Sequence, residues 1–97
     1  MSQVENLRTQ VLRLDGEYDL TREDELIALF ERLDGDRPIT IDLTQVTYID
    51  STVFKELAKL RLRVPDCSIT IAGANHQIER VLKLLGFDRV FRVSASA

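Results

Sequence analysis

Tryptophan is absent from this 97-residue chain, and cysteine and histidine each occur once. The lone Cys67 excludes an internal disulfide and a cysteine-based metal cluster, and it fits a reducing cytoplasm. The lone His76, near the start of a helical stretch, leaves no histidine set to hold a metal and only one candidate base for a nucleophile. With no G-x-S-x-G elbow and no phosphate-binding glycine loop either, an enzyme is not expected and no cofactor is implied. No segment approaches the roughly 20 apolar residues of a membrane span. Met1 to Asn6 lack the basic start and apolar run of a secretory signal, so neither membrane insertion nor secretion is expected. There is no excess of positive charge: 13 Lys and Arg face 16 Asp and Glu, a net charge of -3. That balance argues against a nucleic-acid surface.

What is present is ordinary globular material, 44 % hydrophobic and 30 % charged, enough to offset the chain entropy of folding. The length suits one domain and not two. The expected unit is a single domain over residues 1–97, with its core at about 7–93 and a frayed small-residue tail at 94–97.

Val11-Leu12-Arg13-Leu14 reads as a strand ending at the turn dipeptide Asp15-Gly16, with residues from Leu7 onward extending it or pairing with it. Thr21, three residues before Asp24, has the pattern of a capping box and predicts a helix over about 22–33. Leu26, Leu29, Phe30 and Leu33 form its apolar face. Pro38 to Leu43 alternate apolar and polar residues as a strand does, and Val46, Tyr48 and Ile49 return the chain to the core. Ser51 or Thr52 is expected to cap a second helix, which Val64-Pro65 stops after Arg63. Ser68 to Ala72 is a further strand. A third helix starts near Asn75, turns Ile78, Val81, Leu82 and Leu85 inward, and ends at a left-handed Gly86. Val90 to Val93 is a last strand. Strands alternating with helices through short connections predict an α/β fold: a mixed sheet of four to five strands flanked by three or more helices. Functional loops of such sheets gather at the carboxyl ends of the strands, where Asp50-Ser51 falls.

The run from Asp42 to Thr52, DLTQVTYIDST, resembles the signature of STAS domains, the anti-sigma factor antagonist family. Gly16 to Thr21 resemble that family's G-x-x-D turn, and Ala72-Gly73-Ala74 and Leu84 to Asp88 resemble its later landmarks, so the likeness spans about residues 11–93. It implies that Ser51, following the aspartate, is the phosphoacceptor, with Asp19, Asp50 and Thr52 around it. It implies as partners an anti-sigma factor with serine kinase activity, which the unmodified domain binds, and a phosphatase that resets the switch. The same domain also serves as a soluble subunit of lipid-transport ATPase complexes and in signalling assemblies without phosphorylation. The lipid-transport form often has threonine where this chain has Ser51. The sequence departs from the family directly after the serine, with Val53-Phe54-Lys55 where glycine, an aliphatic residue and often a second glycine stand. Bulk there changes how closely another backbone approaches the helix start.

On its own physics, a hydroxyl at a helix N-terminus lies beside unpaired backbone N–H groups that suit phosphate oxygens. The phosphate would add about -1.5 to -2 charges next to Asp50 and Asp19. On the second helix, Val53, Leu57, Leu60 and Val64 form one stripe, and Phe54, Ala58 and Leu62 a second beside it. With Lys55, Lys59, Arg61 and Arg63 alongside, the second stripe is expected, together with Val53 and Lys55, to meet an acidic partner helix or a second copy of the chain.

Overall fold

The computed structural model describes residues 8–95. The order along the chain is β1 (Gln10–Tyr18), α1 (Glu23–Glu31), β2 (Ile39–Ile49), α2 (Ser51–Arg63), β3 (Ile69–Ala74), α3 (His76–Leu84) and β4 (Arg92–Ala95). The four strands form one sheet in the order β1-β2-β3-β4. The α/β class, the strand count and the three helices are as expected. Where a mixed sheet was expected, every pairing among the described residues is parallel. A further strand before β1 would involve Leu7, which lies outside the described residues.

Parallel strands in sequential order, joined by right-handed crossovers, place all three connecting helices on one face of the sheet. The burial pattern agrees. Leu12, Leu14, Ile39, Ile41, Leu43, Ile69 and Ile71 point to the helices and pack in the core. Between them Val11, Arg13, Thr40, Asp42, Thr70 and Ala72 point the other way and are exposed or half-buried. A parallel sheet covered on both faces would read as continuous apolar runs, and this one alternates because one side carries no helix.

Several ends differ from expectation. Before α1 stands a 3₁₀ turn, Leu20–Arg22, whose cap is Asp19, and Thr21 donates to that aspartate where it was expected to cap the helix. The helix proper stops at Glu31, and Arg63 of α2 donates to the Phe30 and Leu33 carbonyls at 2.9 Å each, satisfying its last turn. On α3, Ile78 and Leu82 are buried, whereas Val81 and Leu85 are exposed at 37 % and 52 %. Leu85 lies beyond the last helical residue, at the C-cap. Gly86 is left-handed as expected, at φ 80°. A 3₁₀ turn, Phe87–Arg89, then delays the last strand by two residues and drops Phe91 into the core. β4 therefore carries Ser94 and Ala95 in register with β3, where a frayed tail was expected, and residues 96–97 lie outside the described residues.

Candidate functional site at the tip of the β1–β2 ribbon

β2 is longer than its neighbour β3. Its pairing with β3 ends at Asp42↔Ala72, while its pairing with β1 continues past two register shifts to Tyr18↔Ile49. The parting point is shaped by two residues. Thr44 turns on Asp42, donating from both its N–H at 2.9 Å and its Oγ1 at 2.6 Å. Gly73 lies against it with φ 76°, so close that a Cβ there would collide with the Thr44 hydroxyl. Past this point β1 and β2 run on as a two-stranded ribbon, and its tip carries the residues singled out in the sequence.

Asp19 and Asp50 stand side by side at the ends of adjacent strands, joined by the Asp50 N–H donating to the Tyr18 carbonyl at 3.1 Å. Each turns its carboxylate onto the residue two further on: Asp19 accepts from the Thr21 N–H and hydroxyl, and Asp50 from the Thr52 N–H at 2.8 Å. The Thr21 hydroxyl, then its N–H, holds the Asp19 carboxyl below the usual range. Arg22 closes this end. Its guanidinium pairs with Glu25 at 2.8 Å, donates to the Asp15 and Glu17 carbonyls, and stacks 3.9 Å over the Tyr18 ring. Glu25, first of these, raises the Arg22 pKa further, and Arg22 in turn lowers that of Glu25.

The N-cap of α2 is therefore Asp50, where Ser51 or Thr52 was expected. Carboxylates are strong caps, and this one occupies the Thr52 N–H, while the Val53 N–H donates to the Asp50 carbonyl at 3.2 Å. The free donors expected for a phosphate thus reduce to the first N–H of the helix. Ser51, the first helical residue, is exposed, Thr52 is buried at 6 % and Val53 completely. Val53 belongs to the core stripe with Leu57, Leu60 and Val64, so its side chain is out of reach of a partner docked on the surface.

The second stripe divides. Phe54 is half-buried and meets the edge of Phe87, ring centres 6.2 Å apart, Ala58 is half-buried, and Leu62 is 81 % exposed. The basic residues expected alongside are all engaged within the chain. Lys55 pairs with Glu23 of α1 at 3.1 Å and Lys59 with Glu56 at 3.4 Å. Arg61 donates to the Val64, Pro65, Cys67 and Val90 carbonyls, and Arg63 is spent on α1. The exposed apolar surface lies instead between the end of β2 and α3, in a groove of about 480 Å³ lined by Tyr48, Ile49, Phe54, Val81 and Leu84, with Arg80 on its edge. Ile49 and Phe54, which flank Ser51 in the sequence, both line the groove, so it reaches the start of α2. Sequence reasoning missed this groove because it turned Val81 into the core. It also missed Glu56, a charged residue at core spacing from Val53 and Leu60, which the spacing itself would have flagged.

Among the described residues no three His, Cys, Asp or Glu side chains converge on a common point as metal ligands would, and no helix is long and apolar enough to cross a membrane.

A protein-family model described as "Mlab, STAS domain" matches residues 1–93. No curated protein matches the sequence. Two solved structures share the fold. One is a sulfate transporter family protein from Wolinella succinogenes, with a TM-score of 0.71 and 15 % identity over 89 % of this chain and 75 % of that one. The other is a SulP transporter STAS domain from Vibrio cholerae, with a TM-score of 0.66 and 16 % identity over 89 % of this chain and 72 % of that one. At these identities the likeness is one of fold alone.

Proposed function

The chain belongs to the STAS domain family, and we propose that within it this protein is an anti-sigma factor antagonist, a cytoplasmic binding module switched by phosphorylation of Ser51. The observation that carries this reading is accessibility: of the three residues that open α2, only Ser51 reaches solvent. A kinase can take its hydroxyl without unfolding the helix, whereas Thr52 is packed away. The unmodified domain binds an anti-sigma factor with serine kinase activity, using the groove that reaches the start of α2 for apolar contact. Phosphate then places about -1.5 to -2 charges against the Asp50 and Asp19 carboxylates. Since Asp50 already holds the Thr52 N–H, the phosphate competes with the cap and repels it. The surface a partner reads is changed in both charge and shape, and a phosphatase restores it.

A second reading is favoured by the name of the matching family model. In it the chain is a soluble STAS subunit of a lipid-transport ATPase complex, or of another signalling assembly, and Ser51 is a contact residue that is never modified. A pull-down from the native cell with wild type, Ser51→Ala and Ser51→Asp, followed by mass spectrometry of Ser51 and of the partners, separates the two. The switch reading expects phosphate on Ser51 and a kinase-type partner lost from Ser51→Asp. Recovery of a transport ATPase with all three forms, and no phosphate on Ser51, selects the second.

A further inference from the structure

Glu56 is explained neither by the core nor by the Ser51 site. It stands on the inward stripe of α2 and is only 5 % exposed. Its Oε2 has no hydrogen-bond partner among the described residues. The nearest cation, the Lys59 ammonium, is 3.4 Å away on a side chain that is 63 % exposed. A buried carboxylate in this state is costly, because a loose pair with a solvated lysine does not repay its desolvation. Leucine at this position would extend the core stripe without that cost.

The carboxyl group lines a cleft of about 240 Å³ on the seam between α1 and α2. Ile27, Phe30 and Leu60 give the cleft apolar walls, and the exposed Glu31 adds a second carboxylate. Arg63 also borders it, but its guanidinium is held by the carbonyls of Phe30 in α1 and of Leu33 just after it. Lys59 is left as the one loosely held cation there. Sites for drug-sized ligands run from about 300 to 1,000 Å³, so this cleft admits one long side chain and not a nucleotide. Apolar walls suit a methylene stem, and the carboxylates suit a charged head.

We infer that the α1–α2 cleft is a socket for an arginine or lysine side chain of a partner protein, with Glu56 Oε2 as the acceptor that Lys59 screens until the partner arrives. The socket is independent of the Ser51 switch: it lies between the helices and is complete whatever the state of the serine.

The test is a titration of the full chain followed by amide NMR. The probes are a capped alanine pentapeptide with a central arginine, the same peptide with a central leucine, and free butylguanidinium. The arginine peptide is expected to give saturable shifts confined to residues 27–31 and 56–63, with a dissociation constant of about 1–10 mM, and the leucine peptide none. Glu56→Gln is expected to weaken binding at least about tenfold by removing the charge from the acceptor. Glu56→Leu abolishes binding and raises the melting temperature, and if that variant does not fold, Glu56→Gln decides. Lys59→Ala removes the competing cation and tightens binding by about two- to fivefold, the range of an exposed ion pair. Absence of saturable shifts up to about 50 mM arginine peptide overturns the proposal. So do undiminished shifts in the Glu56 variants, or tighter binding of free butylguanidinium than of the peptide, which would make this a small-molecule site.

Discussion

Asp50 holds the start of α2 through its bond to the Thr52 amide, and the same arrangement recurs at two other places in the chain. Asp19-Leu20-Thr21, Asp42-Leu43-Thr44 and Asp50-Ser51-Thr52 are three D-x-T segments in which the aspartate accepts from the threonine two residues on. Each marks a point where a strand or its pairing stops, a use of short polar side chains that compete with the ladder for backbone N–H groups. The repetition is plain in the sequence, yet the expected caps were the hydroxyls of Thr21 and of Ser51 or Thr52, because Ser and Thr at a helix start are read as caps before the preceding aspartate is considered. Asp50→Ala is expected to destabilise the fold by about 1 kcal/mol in a urea titration, while Asp50→Asn, which keeps the acceptor, loses only a fraction of that. The Thr44 hydroxyl, then its N–H, holds the Asp42 carboxyl below the usual range, as Thr21 does for Asp19. Groups lowered in this way contribute stability above the unfolded carboxylate value of about 3.9, and that contribution is lost as pH falls through their folded values. Thr44→Val removes the larger cause, so a carboxyl NMR titration is expected to find Asp42 moved upward, nearer the ordinary value, and the variant to lose stability at neutral pH while its deficit against wild type shrinks as pH falls below the carboxylate range.

Among the elements, α2 was the most legible. Its core stripe of Val53, Leu57, Leu60 and Val64 is buried as the 100° periodicity requires, and its end at Val64-Pro65 is set by the proline. The function of its charged residues was not legible, because spacing shows which face a residue occupies but not which distant carbonyl it finds. Arg61 and Arg63 read as a basic fringe for a partner, yet both are fasteners. Arg61 gathers three carbonyls of the turn after α2 and one from the approach to β4, and its guanidinium lies 5.8 Å from the Phe91 ring centre. Hydrogen bonds from a charged donor are worth about 1.5–3 kcal/mol, and those of one guanidinium do not add fully. Arg61→Ala is therefore expected to cost about 2–3 kcal/mol in chemical denaturation, with Arg61→Lys recovering less than half of it because an ammonium lacks the planar fork. The position of β4 differs from expectation for a related reason. A 3₁₀ turn between helix and strand leaves no periodic mark, and Phe91 reaches the core just after that turn.

Over the whole molecule, the alternation Ile39-Thr40-Ile41-Asp42-Leu43 and Ile69-Thr70-Ile71-Ala72 carries two kinds of information. It predicted strands, and it also encoded a parallel sheet with helices on one face only, since strands covered on both sides need no polar residue every second position. Thr70, paired with Thr40 on one side and Arg92 on the other, sits in the middle of the helix-free face. Thr70→Lys is accordingly expected to change stability by less than about 1 kcal/mol, as surface substitutions do, whereas a sheet packed on both sides would lose several. The proposed function uses the ribbon tip together with the groove between β2 and α3, and leaves the uncovered face free. Its central claim is that charge on Ser51 controls binding there. The most direct measurement is the affinity of the purified partner for unmodified, Ser51→Ala and Ser51-phosphorylated protein by calorimetry. Wild type and Ser51→Ala are expected to bind alike and the phosphorylated form at least about tenfold more weakly, the effect of about 1.4 kcal/mol. Equal affinity for all three forms would contradict the switch.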